Sequence, residues 1–91
     1  MAQMDQTSFD TFVAKAEAGI PDAQYSLGLL YSTGHDAPLD YVAAHKWLNI
    51  ASIKGNADAR RLRCEIALDM EPEEIAEAQR LAREWMTANT H

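Results

Sequence analysis

Cys64 is the single cysteine of the chain. A thiol acts as a nucleophile only when a neighbouring base or cation holds it as thiolate and hydrogen-bond donors await the oxyanion. Arg61 and Arg63 stand beside it and favour the anion, but no histidine lies within one helical turn. A structural or semi-exposed thiol is therefore expected, and one cysteine cannot close an intramolecular disulfide. The three histidines are His35, His45 and His91, and no two share the i, i+3 or i, i+4 spacing that would turn a pair of imidazoles toward one metal ion. His35 adjoins Asp36 in a stretch that reads as a solvated turn. His45 falls among apolar positions and reads as a partly buried imidazole with a local hydrogen bond, rather than as a general base. There is no glycine-rich phosphate loop, nucleophile elbow or carboxylate pair. No catalytic, cofactor-binding or metal-ligating residue is assigned, and an enzyme is not expected.

Recognition chemistry is better represented. Arg60, Arg61 and Arg63 form the only basic cluster, and arginine is enriched where interfaces concentrate their binding energy. The plainer reading is a solvated face offset by Asp58 and Glu65, where each exposed pair contributes little. Tyr25, Trp47 and Trp85 invite a similar account, but aromatic residues at regular helical spacing are expected to pack. The whole chain of 91 residues carries 14 acidic against 8 basic side chains, a net charge of -6. That balance opposes nucleic acid and anionic lipid as partners. The first eight residues hold no basic region followed by an apolar run, and no stretch approaches the roughly 18 apolar residues of a membrane span. A cytoplasmic protein is expected.

Those residues are positioned by helices. Hydrophobic residues make up 47% and charged residues 24% of the chain, which is ordinary for a folded domain. The apolar spacing is helical throughout. Phe9, Phe12, Val13 and Ala16 predict a first helix over about 8–18, with Thr7 or Ser8 as N-cap and Gly19 just past its end. Pro21 suits a first helical turn, and Ala23, Leu27, Leu30 and Tyr31 continue a second helix that stops before Gly34. Asp40 caps a third helix carrying Tyr41, Ala44, Trp47, Leu48 and Ala51 on one side and Val42, Ile50 and Ile53 on another. A helix apolar on two sides is expected between neighbours. Gly55 closes it, and Asn56 caps a fourth helix with Ala59, Leu62, Ile66 and Ala67 inward and arginines outward. Pro72 opens a fifth, with Glu71, Glu73, Glu74 and Glu77 at the positive end of its dipole. Ile75, Ala78, Ala82, Trp85 and Met86 form its buried stripe, and Arg80 pairs with Glu84.

The chain also repeats itself. Gly19, Asp22 and Ala23 recur as Gly55, Asp58 and Ala59 at an offset of 36 residues, and Ala44 to Leu48 recur more loosely as Ala82 to Met86. Small residues at Ala23, Gly28, Ala44 and Ala59 let helix axes approach, while Tyr31, Tyr41, Trp47 and Leu48 fill the space between hairpins. The expected fold is all-α, a short α/α solenoid of about five helices. Residues 1–7 form a flexible N-terminus, 8–88 one domain (a full repeat at 19–55 and a partial, capping repeat at 56–87), and 89–91 a tail.

The run Gly19 to Tyr31, with Pro21, Asp22, Ala23, Leu27 and Gly28, then Gly34, Asp40-Tyr41, Ala44, Trp47-Leu48, Ala51 and Gly55 to Ala59, resembles a Sel1-like repeat, a relative of the tetratricopeptide repeat. The likeness covers about residues 19–59, and the remainder resembles the helical end of short bacterial members. It departs at Ile20, which stands in place of a capping Asp or Asn, at Asp36, where a second loop glycine is usual, and in lacking the paired cysteines of exported members. The resemblance implies a right-handed solenoid acting as an adaptor or scaffold, and a peptide or protein is expected on a concave surface of the second and fourth helices, with Gln24, Arg60, Arg61 and Arg63 as the candidate contact residues. The alternative is a homodimer through Phe9, Phe12, Trp85 or Met86 on the outer face of the first or fifth helix.

Overall fold

Each interruption of the apolar periodicity becomes a helix end. The computed structural model describes residues 6–89, which form α1 (Gln6–Glu17), α2 (Pro21–Thr33), α3 (Tyr41–Ile53), α4 (Ala57–Ala67) and α5 (Pro72–Ala88). No strand occurs among the described residues. The Asp40 carboxylate accepts from the Ala43 N–H at 3.0 Å and the Asn56 side chain accepts from the Ala59 N–H at 2.8 Å, so each cap satisfies one orphan donor in the first turn of α3 and of α4. Ile20 offers α2 no side-chain cap, and Pro21 partly compensates because it has no N–H to satisfy. At α5 the Glu74 carboxylate reaches back to the Glu71 N–H at 2.8 Å. Gly34 ends α2 at φ 72°, and Asp36 follows at φ 63°, a conformation aspartate tolerates better than most residues. Thr7 and Ser8, expected as caps, lie inside the first turn of α1, so part of the expected flexible segment 1–7 is helical. The rest of that segment, and Thr90 and His91 of the expected tail, lie outside the described residues.

The helices pack mainly as α1 on α2, α2 on α3, and both α4 and α5 on α3, with a fringe of contact between α2 and α4. Helix α3 is therefore central, as two apolar sides predict, but their membership differs from the expected one: Trp47 falls with Ile50, Val42 falls with Ala44 and Leu48, and Ile53 is 60% exposed. On one side Trp47 and Ile50 join Ala16, Ala23, Leu27 and Ala82, with the rings of Phe9, Phe12 and Trp85 packed against them. On the other, Ala44, Leu48 and Ala51 join Ala59, Ile66 and Met70. Trp47 is only 4% exposed, and it meets Trp85 edge-to-face at 5.5 Å between centroids. Such a geometry places the ring edge on the partner's electron-rich face. Phe9 and Tyr31 form a second edge-to-face pair at 5.9 Å. Phe9, Phe12, Trp85 and Met86, expected as an open dimer face, are instead half-buried against this common core. Sequence periodicity marks an apolar stripe but not which neighbour covers it.

The closest approach is between α2 and α3. Gly28 sits where a Cβ would lie 2.6 Å from Cγ of Leu48 and 3.3 Å from the Ala44 carbonyl oxygen. Leu48 is fully buried and fills that space itself. Each buried side chain of this size contributes about 1.5–3 kcal/mol. Alanine at position 28 gains up to about 1 kcal/mol of helix propensity, but overpacking costs about 1–3 kcal/mol. Gly28→Ala is expected to lower the thermal midpoint by several degrees in a calorimetric or circular-dichroism melt. A midpoint equal to or above that of the parent chain would show that α2 and α3 are not in this contact.

Candidate functional site

Helix α4 carries the basic cluster, and its rotation of 100° per residue splits that cluster between two faces. Arg63 stands four residues after Ala59 and three before Ile66, both buried against α3. It shares their stripe, is half-buried, and its Nη1 donates to Asn49 Oδ1 at 2.7 Å and to Ser52 Oγ at 3.1 Å. The expected contact residue is thus a strut between α4 and α3, and its spacing from Ala59 and Ile66 was the signal. Arg60 and Arg61 do face solvent. Arg61 forms an exposed ion pair with Asp58 at 3.0 Å.

Gln24 is also turned inward. It lies on the stripe of Ala23 and Leu27, has 0% exposure, and donates from Nε2 to the Ala16 carbonyl at 3.1 Å. It ties α2 to the last turn of α1 and presents nothing to a partner. Its Oε1 has no hydrogen-bond partner among the described residues. His45 is 4% exposed, more buried than expected, and its Nδ1 makes no well-formed hydrogen bond among the described residues, its own backbone carbonyl being the weak local acceptor. Burial above all, then the positive charge of Arg63, holds its pKa below the ordinary value of 6.5, with its own backbone carbonyl pulling weakly the other way. The ring is neutral at physiological pH.

The exposed part of the site is a shallow groove of about 200 Å³ where Tyr25 and Leu29 of α2 face Asp58, Arg61, Leu62 and Glu65 of α4. Its floor is aromatic and aliphatic, and its rim carries both signs of charge. Cys64 is exposed on another side of α4, and His35 lies exposed in the loop after α2, its backbone N–H donating to Thr33 Oγ1 at 3.3 Å. Among the described residues no three His, Cys, Asp or Glu side chains converge as a metal-binding group, and no helix is long and apolar enough to cross a membrane.

A second cleft of about 260 Å³ escaped the sequence reading. Leu27, Tyr31, Trp47 and Leu81 line it, with Glu17, Asp40 and Lys46 also at its walls. Lys46 Nζ lies 4.3 Å from the Trp47 ring centroid, a cation–π contact. Burial and the nearby Asp40 carboxylate raise the Tyr31 pKa, so its phenol stays protonated. Only packing brings these residues together, since Val13 and Leu81 come from opposite ends of the chain.

At the far ends of α1 and α5, Trp85 Nε1 donates to Glu17 Oε1 at 2.7 Å and Lys54 Nζ donates to the Gly19 carbonyl at 2.8 Å. These bonds join segments 68 and 35 residues apart and give Lys54 a carbonyl partner at the end of α1. On α5, Arg80 is held by Glu77 and Glu84, as the spacing predicts for the latter. No model of a known protein family matches the chain, and a search of curated proteins finds no match.

The buried imidazole makes stability depend on pH. As pH falls below 6.5 the unfolded chain takes up a proton at His45 that the folded chain refuses, so stability is lost with acidification until the folded-state pKa is passed. One such proton contributes a slope of at most about 1.4 kcal/mol per pH unit. Urea denaturation between pH 7.5 and about 5.5, above the ordinary carboxylate range, is expected to show a falling midpoint in the parent chain and a flatter profile in His45→Gln. Parallel profiles would place the acid sensitivity elsewhere.

Proposed function

We propose that the chain is a non-enzymatic interaction module of the Sel1-like type, a short right-handed α/α solenoid that binds a peptide or protein segment in the cytoplasm. In this reading α2 with α3 and α4 with α5 are successive hairpins, and α1 is the second helix of an incomplete hairpin before them. Contact between α2 and α4, and between α3 and α5, supports it, because like helices of neighbouring hairpins stack in such a fold. The close approach at Gly28 supports it as well. The second hairpin is open, since α5 packs on α3 and makes little contact with α4.

The observation that carries the functional reading is the groove between α2 and α4. It offers the exposed edge of Leu29, 38% accessible, and the Tyr25 ring for an apolar anchor. Arg61, Asp58 and Glu65 on the rim provide polar and charged contacts to orient a bound segment. A net charge of -6 makes a protein segment a better partner than a polyanion. The contact set accordingly shifts from the expected Gln24 and Arg63, which are occupied internally, to Tyr25, Leu29 and Leu62 beside Arg61.

Selection from a displayed random-peptide library is expected to yield binders whose affinity falls at least about tenfold in Leu29→Glu and in Arg61→Glu, since each change removes a contact worth about 1.4 kcal/mol or more at a binding centre. Circular dichroism of both variants should match the parent, as both positions are exposed. Peptides that bind the parent and both variants equally would overturn the groove as the binding surface.

A further inference from the structure

The outward side of α4 is covered by none of the other described helices. Ala57, Arg60, Arg61, Cys64, Glu65 and Leu68 bound a shallow depression and are all exposed, Leu68 at 87%. Ala57, Arg61, Cys64 and Leu68 follow one another at intervals of four, three and four residues, which makes them a single narrow seam along the helix. Arg60 flanks the seam on one edge and Glu65 on the other. Neither is held in an ion pair among the described residues, unlike Arg61, which Asp58 draws toward itself.

This arrangement is complementary to itself. When two identical helices lie side by side in parallel about a two-fold axis, the left flank of each meets the right flank of the other, offset by five residues. Arg60 of each copy then faces Glu65 of the other, twice by symmetry. In the antiparallel arrangement each flank meets its own kind, setting Arg60 near Arg60 and the carboxylates of Asp58 and Glu65 near one another. Charge thus selects both the occupant and the direction.

We propose that this face of α4 seats a second copy of the chain, with the two α4 helices parallel and Cys64 against Cys64 at the centre of the seam. Leu68 and the Cys64 side chains supply apolar contact, and the stem of Arg61 covers the seam while its guanidinium remains with Asp58. The helix has 11 residues, a length of about 16 Å. So short an interface falls below the area of permanent dimers, and the association is reversible and concentration-dependent. It leaves the apolar floor of the peptide groove, Tyr25, Leu29 and Leu62, outside the seam, while Arg61 and Glu65 border both.

Sedimentation equilibrium of the full chain under reducing conditions tests the idea. Association is expected for the parent and is expected to weaken roughly tenfold in Arg60→Glu and in Glu65→Arg, because each change converts two attractions into two repulsions. Mixing the two single variants restores it, since at positions 60 and 65 one copy then carries two carboxylates and the other two guanidinium groups. Brief treatment with diamide should join the parent through Cys64 faster than either single variant. In that step two thiols each lose a proton and an electron, one S–S bond forms, and one diamide is reduced to its hydrazine. A parent that stays monomeric at millimolar concentration, a dimer indifferent to both substitutions, a mixture that fails to associate, or cross-linking equally fast in all three proteins would each overturn the proposal. Loss of peptide binding in Leu29→Glu, outside the seam, bears on none of these outcomes, and Arg60→Glu tests the seam at a residue that does not line the groove.

Discussion

The absence of a side chain at Gly28 sets the separation of α2 and α3, and the rest of the molecule is arranged around that distance. Leu48 enters the space a Cβ would take, which brings the α3 backbone close enough for Ala44 to pack on α2. With α2 held near, α3 has two apolar flanks left to cover. One takes the rings of Trp47 and Trp85 with the alanines of α1, α2 and α5, and the other takes the Ala59 and Ile66 side of α4. Small residues at Ala16, Ala51, Ala59, Ala78 and Ala82 are completely buried. They gain little area each, but they admit neighbours whose larger side chains make most of the contacts.

Polar groups complete the assembly where apolar packing ends. Gln24, Arg63, Lys54 and Trp85 each donate to an acceptor on another segment, although local sequence marks Gln24 and Arg63 as surface contacts and Trp85 as simple core. An arginine or a glutamine that satisfies its donors internally is removed from the surface, because breaking those bonds to meet a partner takes the donor from the Asn49 side-chain oxygen and one of two donors from the Ala16 carbonyl, which also accepts from the Gly19 N–H. The same bookkeeping separates Arg63 from Arg60, three residues earlier on one helix. One is consumed by α3, and the other remains available.

The openness of α4 follows from where α5 goes. A second hairpin as tight as the first would lay α5 along α4, but α5 instead docks on α3 and is drawn toward α1 by the Trp85–Glu17 bond. Trp85 gains the Trp47 ring by this placement, and burial of two large aromatic surfaces outweighs what Ala67 or Leu68 offers. As a result α4 shows one face to α3, an edge to α2 and the remainder to water. The groove and the self-complementary seam are both products of that single displacement.

The helix boundaries and the central place of α3 were determined by local chemistry that the chain carries in order. Pro21, Asp40, Asn56 and Pro72 start helices, Gly34 and Gly55 stand where they end, and two apolar flanks on one helix demand two neighbours. The i, i+4 pairing of Arg80 with Glu84 was equally legible, because it depends on one helix alone. The partners of Gln24, His45, Arg63, Glu17 and Lys54, the cleft beside Trp47 and the exposure of Leu68 were decided only in three dimensions. Each depends on the relative placement of helices distant in sequence, and that placement comes from the summed packing of many side chains, which no short stretch of residues encodes.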